Sequence, residues 1–204
     1  MIFSQTPIYL LKQIHPNAQF HLNHPSYIAL TFDDGPIPEV TEYVIDVLKH
    51  YNIPATFFCV GENIQKHTGI FHKLLQNKHS IGNHTFSHLN AWKYTNEEYL
   101  QDVLKFYKIY NTPLFRPPYG KLKPSQYKAL LKHNFKIVFW SVISYDYHPQ
   151  MTVQKCLNII QDKTTGGQII LFHDSQKSFR LISEILPSYI EFCQKLKLTF
   201  VPLK

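Results

Sequence analysis

Arginine is nearly absent from this chain. Of 21 basic residues only Arg116 and Arg180 are arginines, and the lysines are scattered from end to end. Proteins that bind nucleic acid gather positive charge into a stripe or patch. The formal charge of +7 therefore reads as a lysine-rich solvated surface, and no nucleic-acid partner is expected. Cysteine is also sparse. Cys59, Cys156 and Cys193 make an odd count with no C-x-x-C spacing, so they are expected to be reduced, packed thiols. No run of about 18 apolar residues occurs, so no membrane-spanning helix is expected. Residues 1–7 lack a basic stretch, and Ile8-Tyr9-Leu10-Leu11 is too short for a signal-peptide core, which leads to the expectation of an unprocessed, cytoplasmic protein. No fixed-period repeat and no low-complexity segment is found. With 44% hydrophobic and 17% charged residues, disorder and coiled coil are excluded. A chain of 204 residues suits one domain with a sizeable core, as a monomer or small homo-oligomer.

What is present is alternation. After a proline-bearing N-terminal segment (1–26), an apolar, β-prone run at 27–32 predicts a strand that stops at Gly35-Pro36. Val40, Val44, Val47 and Leu48 recur at helical spacing. Residues 55–60 predict a strand buried on both faces. Two short helices are predicted around 63–67 and 70–76, and a short strand at 79–84. The pattern continues with a helix over 96–110, with Tyr99, Val103, Phe106, Tyr107 and Tyr110 inward, a strand at 114–116 and a helix at 124–133. One strand is then expected over 136–142, a helix at 153–161, a strand at 168–172, a helix at 181–196 and a last strand at 198–201. Strand and helix alternate about seven times, which implies a parallel sheet or barrel. The notable polar residues follow strands: Asp33 and Asp34, His84 and His88, Arg116, Asp146, His173. A barrel of this kind collects its strand ends on one face, where catalytic groups gather.

Asp33 and Asp34 are adjacent carboxylates where a buried strand meets a turn. Burying both is costly unless a cation or hydrogen-bond donors compensate; the alternative is an Asp-Gly turn with a solvated neighbour. His84-Thr85-Phe86-Ser87-His88 places two imidazoles four residues apart. If that turn is helical they share a face and a cation, with Asp34 as a third ligand, since two His and a carboxylate form a common open metal site. The alternative is a pair of surface or core histidines in a chain that has 12. The sequon Asn83-His84-Thr85 is discounted as a chance match. His15, His21, His24, His50, His67, His72, His79, His133 and His148 lie outside these clusters and are expected at the surface.

Thr31-Phe32-Asp33-Asp34-Gly35-Pro36, His84-Thr85-Phe86-Ser87-His88, Arg116-Pro117-Pro118-Tyr119 and Leu171-Phe172-His173, in that order, resemble four of the five motifs of the polysaccharide deacetylase family, the NodB-homology domain of carbohydrate esterase family 4. The resemblance runs from about residue 27 to the C-terminus. It implies an α/β fold, a distorted (β/α) barrel of about seven parallel strands over 27–204. It implies one divalent metal, zinc foremost with cobalt, nickel or manganese as substitutes, held by Asp34, His84 and His88. Asp33 would be general base, His173 general acid and Arg116 the holder of Asp33. The Tyr119 backbone N–H would serve the oxyanion, with Pro118, Tyr147 and Leu171 along the substrate groove. The implied substrate is an N-acetylated glycan, such as peptidoglycan or a chitin-like oligomer.

The remaining motif departs from the family pattern. In Trp140-Ser141-Val142-Ile143-Ser144-Tyr145-Asp146-Tyr147, Asp146 matches the aspartate that tunes the acid histidine. Tyr147 stands where tryptophan is usual, and Ser141 and Ile143 where acidic residues are frequent. An O-deacetylase or amidase acting on another carbohydrate-like substrate, or a glycan-binding protein without turnover, stays open beside N-deacetylation. Arg116 also reads as a structural ion-pair partner, and His173 as a satisfied buried histidine.

Overall fold

The computed structural model describes residues 8–204. Residues 1–7, the front of the N-terminal segment and part of the basis for the export expectation, lie outside that range. The elements are α1 (Ile8–Ile14), β1 (Tyr27–Asp33), α2 (Val40–His50), β2 (Thr56–Cys59), α3 (Gly61–Lys66), α4 (Thr68–Gln76), β3 (Ser80–Asn83), α5 (Asn96–Tyr107), β4 (Leu114–Phe115), α6 (Pro124–Lys132), β5 (Lys136–Ile137), β6 (Val142–Ile143), α7 (Val153–Lys163), β7 (Gln168–His173), α8 (Phe179–Lys195) and β8 (Thr199–Phe200). The sheet runs β5-β4-β3-β2-β1-β7-β6, with β8 pairing the start of β1. Every pairing between these strands is parallel. Among the described residues no helix is long and apolar enough to cross a membrane.

The apolar run expected as one strand over 136–142 is instead cut in two, and the cut explains the barrel. β5 closes one edge of the sheet and β6 the other, yet four residues separate Ile137 from Val142. Five backbone steps span at most about 18 Å. Seven strands laid flat would put the two edges about 29 Å apart. The sheet must therefore curl into an unclosed, distorted (β/α) barrel. Val138 and Phe139 lie in the gap, where Val138 bridges Gln19 and both carbonyls accept from Arg116.

Alternation along the strands divides the core. Ile28, Leu30 and Phe32 of β1 join Phe57, Cys59, Ile170 and Phe172 under α2 and α8. Phe32 stacks on Phe57 at 4.9 Å and Phe172 at 5.8 Å, and burying each such ring contributes roughly 1.5–3 kcal/mol. Ala29 faces the barrel interior with Phe58, Ile169 and Leu171, and period-two alternation puts Thr31 and Asp33 on that same inner face. All three thiols are free and buried. Pro187 stands inside α8 and cannot donate to Ser183 O; the Tyr43 hydroxyl from α2 donates to that carbonyl at 2.6 Å. α5 stops at Tyr107, which is 38% exposed rather than inward as expected.

Candidate active site

The C-terminal ends of β1, β3, β4, β6 and β7 surround a cleft of 690 Å³ whose walls include Asp33, Asp34, His84, His88, Tyr119 and His173. Asp33 ends β1 in register with His173, which ends β7. Beneath them Arg116 is fully buried. Its Nη1 donates to Asp33 Oδ1 and to Thr31 Oγ1, both at 2.8 Å. Its Nη2 donates to Phe139 O at 2.9 Å and its Nε to Val138 O at 3.3 Å. The guanidinium lies 4.1 Å from the Phe58 ring centroid. Every nitrogen of the fork is engaged, so the guanidinium is fixed and Asp33 is fixed with it.

The histidine pair does not sit on a helix. After β3 the chain turns through left-handed conformations at Thr85 (φ 65) and His88 (φ 53). Side chains hold this turn. Asn83 Oδ1 accepts from Thr85 N, Asp102 Oδ2 from α5 accepts from Phe86 N and Ser87 N, and Thr85 Oγ1 accepts from Leu89 N. The two rings end 5.1 Å apart by this route instead of by helical spacing. Left-handed φ at non-glycine residues costs about 1–3 kcal/mol each. Such residues include Asp34, Thr85, His88, Tyr119 and Tyr145, all in loops that follow strands of the sheet.

His84 presents a bare ring nitrogen to the cleft. Its Nδ1 lies 2.7 Å from Arg116 O; a carbonyl only accepts, so Nδ1 carries the proton. Burial pushes its pKa down to about 4, so the ring is neutral at pH 7 and Nε2 is a bare lone pair. That lone pair faces Asp33 Oδ2 at 3.7 Å and Asp34 Oδ1 at 3.8 Å, while His88 Nε2 lies 3.1 Å from Asp34 Oδ1. Burial acts to raise the Asp34 carboxyl, but the His88 hydrogen bond and the His173 charge outweigh it and hold it well below the usual carboxylate range. One ligand atom each from Asp34, His84 and His88 falls within 4.8 Å of the others. Electron pairs converging in this way suit a divalent cation in an N,N,O set with open positions. The second nitrogen of His84 is anchored to a backbone carbonyl, as metal-bound histidines generally are.

Across the cleft His173 is held differently. Asp146, buried, accepts from His173 Nδ1 and from its backbone N–H, both at 2.8 Å. Burial opposes charge on this imidazole, yet the Asp146 charge and hydrogen bond, with Asp34 and Asp33 behind them, lift it to about 9. Tyr147 packs edge-on against His173 at 4.8 Å, and Tyr119 against His88 at 4.8 Å. Leu171, Ile143 and Trp140 form the apolar wall. Tyr119 is 58% exposed and left-handed (φ 60) in the tight turn Pro118–Gly120. Gly120 is left-handed too, and a Cβ there would meet the Trp140 ring. Pro118 is buried within the turn and is not part of the cleft wall, whereas Arg116 and Asp146 lie behind it.

Two supporting residues escaped the sequence. Thr31 Oγ1 accepts from Arg116 and donates to Ile170 O at 2.7 Å. Asp174, fully buried, accepts from Gly35 N and Thr41 Oγ1, and burial pushes its carboxyl up to about 8. Strand alternation is the signal for Asp174, because a residue following His173 must face the opposite side, toward α2. Two histidines expected at the surface are buried: His15 against Phe139 and Tyr127, and His79 beneath Ala55 N.

The sequence profile of the polysaccharide deacetylase family matches residues 22–138. A peptidoglycan-N-acetylglucosamine deacetylase of Bacillus cereus is 37% identical over 171 residues, covering 78% of this chain and 62% of that protein. A second B. cereus protein of that name is 32% identical over 178 residues, covering 81% of this chain and 82% of its own length. The chain spans only 33% of the similar Listeria monocytogenes protein PgdA. The crystal structure of the Bc1960 peptidoglycan N-acetylglucosamine deacetylase superposes with a TM-score of 0.83 at 32% identity, over 98% of this chain and 95% of that one.

Proposed function

The chain belongs to the polysaccharide deacetylase family, and from that premise we propose that it hydrolyses the N-acetyl groups of an amino-sugar glycan, either peptidoglycan or a chitin-like oligomer, with the help of one divalent cation. The supporting observation is the pairing of Asp33 with His173. They are register partners on adjacent strands, one bonded to a buried guanidinium and the other to a buried carboxylate. One cleft thereby holds a proton acceptor and a proton donor side by side.

Asp34, His84 and His88 would hold the cation, zinc being favoured by the two imidazoles and the open coordination, with cobalt, nickel or manganese as substitutes. Such an ion supplies Lewis acidity toward the acetyl carbonyl and acidifies a water. The remaining chemistry belongs to the side chains. Asp33, fixed by Arg116, takes the proton of the attacking water. His173, protonated at neutral pH through Asp146, faces the cleft with Nε2 and gives its proton to the departing amine, which is otherwise a poor leaving group. The Tyr119 N–H, presented by its left-handed turn, is the donor assigned to the developing oxyanion. Tyr147, Leu171 and Trp140 form the wall against which a pyranose ring packs. The C–N bond breaks, acetate leaves, and the amine retains the proton from His173.

The test is acetate release from N-acetylglucosamine oligomers and purified peptidoglycan, wild type against Asp33→Ala, with Zn²⁺ supplied. The expected result is release by the wild type alone. Equal release from both on every substrate refutes the proposal.

A further inference from the structure

Asp34 is left-handed at φ 90, a conformation that a non-glycine residue keeps only when its surroundings impose it. The backbone around it is tied down at four polar groups. Asp33 O accepts from Asp174 N at 3.0 Å and Gly35 O from Val60 N at 2.9 Å. Asp34 O accepts from Asn63 Nδ2 at 2.7 Å. Gly35 N donates to Asp174 Oδ1 at 3.0 Å, and the other oxygen of that carboxylate takes the Thr41 hydroxyl at 2.6 Å. Thr41 Oγ1 in turn accepts from Ile37 N at 2.7 Å. A Cβ on Gly35 would overlap the Asp174 carboxylate, so the loop backbone lies directly on it. None of Asp174, Thr41 and Asn63 belongs to the set that would hold the cation or move a proton.

We propose that Asp174, with Thr41 and Asn63, is a positioning clamp that holds the Asp33–Gly35 backbone so that the Asp34 carboxylate is aimed at His84 and His88 before any cation arrives. The clamp rests on the reading of Asp34, His84 and His88 as the cation site. Its consequence lies in cation affinity. Without the clamp the loop relaxes out of the left-handed conformation, and part of the binding energy is spent on restoring it. Residues behind metal ligands typically change affinity by about 10–100-fold when removed.

The experiment titrates Zn²⁺ into chelator-stripped protein against a chromophoric competitor. Melting curves without metal check that each variant folds. Asp174→Ala is expected to bind Zn²⁺ about 10–100-fold more weakly. Asp174→Asn keeps an acceptor for Gly35 N–H and places an amide donor against Thr41, so it is expected to recover most of the affinity. Thr41→Val and Asn63→Ala, which each cut one tie and leave Asp174 in place, are expected to weaken binding by smaller factors. They decide the matter if Asp174→Ala does not fold. Wild-type affinity in Asp174→Ala, or in both Thr41→Val and Asn63→Ala, overturns the clamp and leaves the cation site standing. Equal losses in Asp174→Ala and Asp174→Asn also overturn it, because restoring the acceptor for Gly35 N–H would then recover nothing. If the wild type itself takes up no Zn²⁺, the cation site fails and the clamp with it.

Discussion

Replacing Asp146 by asparagine tests the proton donor. The substitution keeps the shape of a buried side chain and removes its charge from His173 Nδ1, which lies 2.8 Å away; its amide nitrogen also loses the bond from the His173 backbone N–H, a cost that does not vary with pH. Burial acts to lower the His173 pKa, and the Asp146 charge and bond lead the effects that lift it to about 9. Burial and the Asp33 and Asp34 charges then act on it in opposite directions. With the imidazole at its ordinary value of about 6.5, the protonated fraction at pH 7.5 drops from about 97% to about 9%, a tenfold loss. At pH 8.5 the loss is about 75-fold, while at pH 6 it is about 1.3-fold. A cation bound at Asp34 adds the same positive charge in both proteins, so the displacement of the alkaline limb is the expected outcome rather than its absolute position. The assay is kcat/KM for acetate release between pH 5.5 and 10, with the His173 titration followed by NMR in parallel. A defect of the same size at pH 6 and pH 8.5 refutes the assignment of Asp146 as the group that keeps His173 protonated.

Asp33→Asn, which keeps the shape of the side chain and removes the proton acceptor, is expected to slow acetate release by about 10²–10⁴-fold while Zn²⁺ titrations show binding retained; loss of binding would assign Asp33 to the metal instead. Arg116→Met leaves Asp33, Thr31 and two buried carbonyls without their donor. Urea unfolding should find it less stable by about 3–5 kcal/mol, and a loss below about 1 kcal/mol would mean the pair contributes little. His79 carries a pKa pushed by burial down to about 4. Below its ordinary value of about 6.5 the unfolded chain binds a proton that the native state refuses, so stability falls as pH falls, by up to about 1.4 kcal/mol per unit. His79→Gln should flatten the pH dependence of urea unfolding between pH 7.5 and 5, and parallel curves for the two proteins would show that His79 does not contribute.

The strand–helix alternation and the gathering of polar residues at strand ends were legible in the sequence because they depend on local pattern. Asp33, Asp34, His84, His88, Arg116, Asp146 and His173 stand around one cleft because parallel strands deliver their C-terminal ends together. What the sequence hid was decided by partners far along the chain. The run at 136–142 is uniformly apolar, and nothing local says that its two halves close opposite edges of a curled sheet. The spacing of His84 and His88 left open whether they meet on a helix, and Asn83 and Asp102 impose a left-handed turn instead. His15 and His79 looked solvated by type, but ring contacts with Tyr127, Phe139 and Phe57 bury them. Asp174 follows a strand without any local sign of a task, which the approach of Gly35 and Thr41 supplies.

The most direct measurement of the central claim is acetate release by protein stripped with a chelator and reloaded stepwise with Zn²⁺, on N-acetylglucosamine oligomers. Negligible turnover is expected in the stripped protein, with a linear rise to one equivalent and a plateau beyond it. His84→Ala should need a large excess of metal or stay inactive. Full activity in the stripped protein, or a wild-type reloading curve from His84→Ala, would contradict that claim.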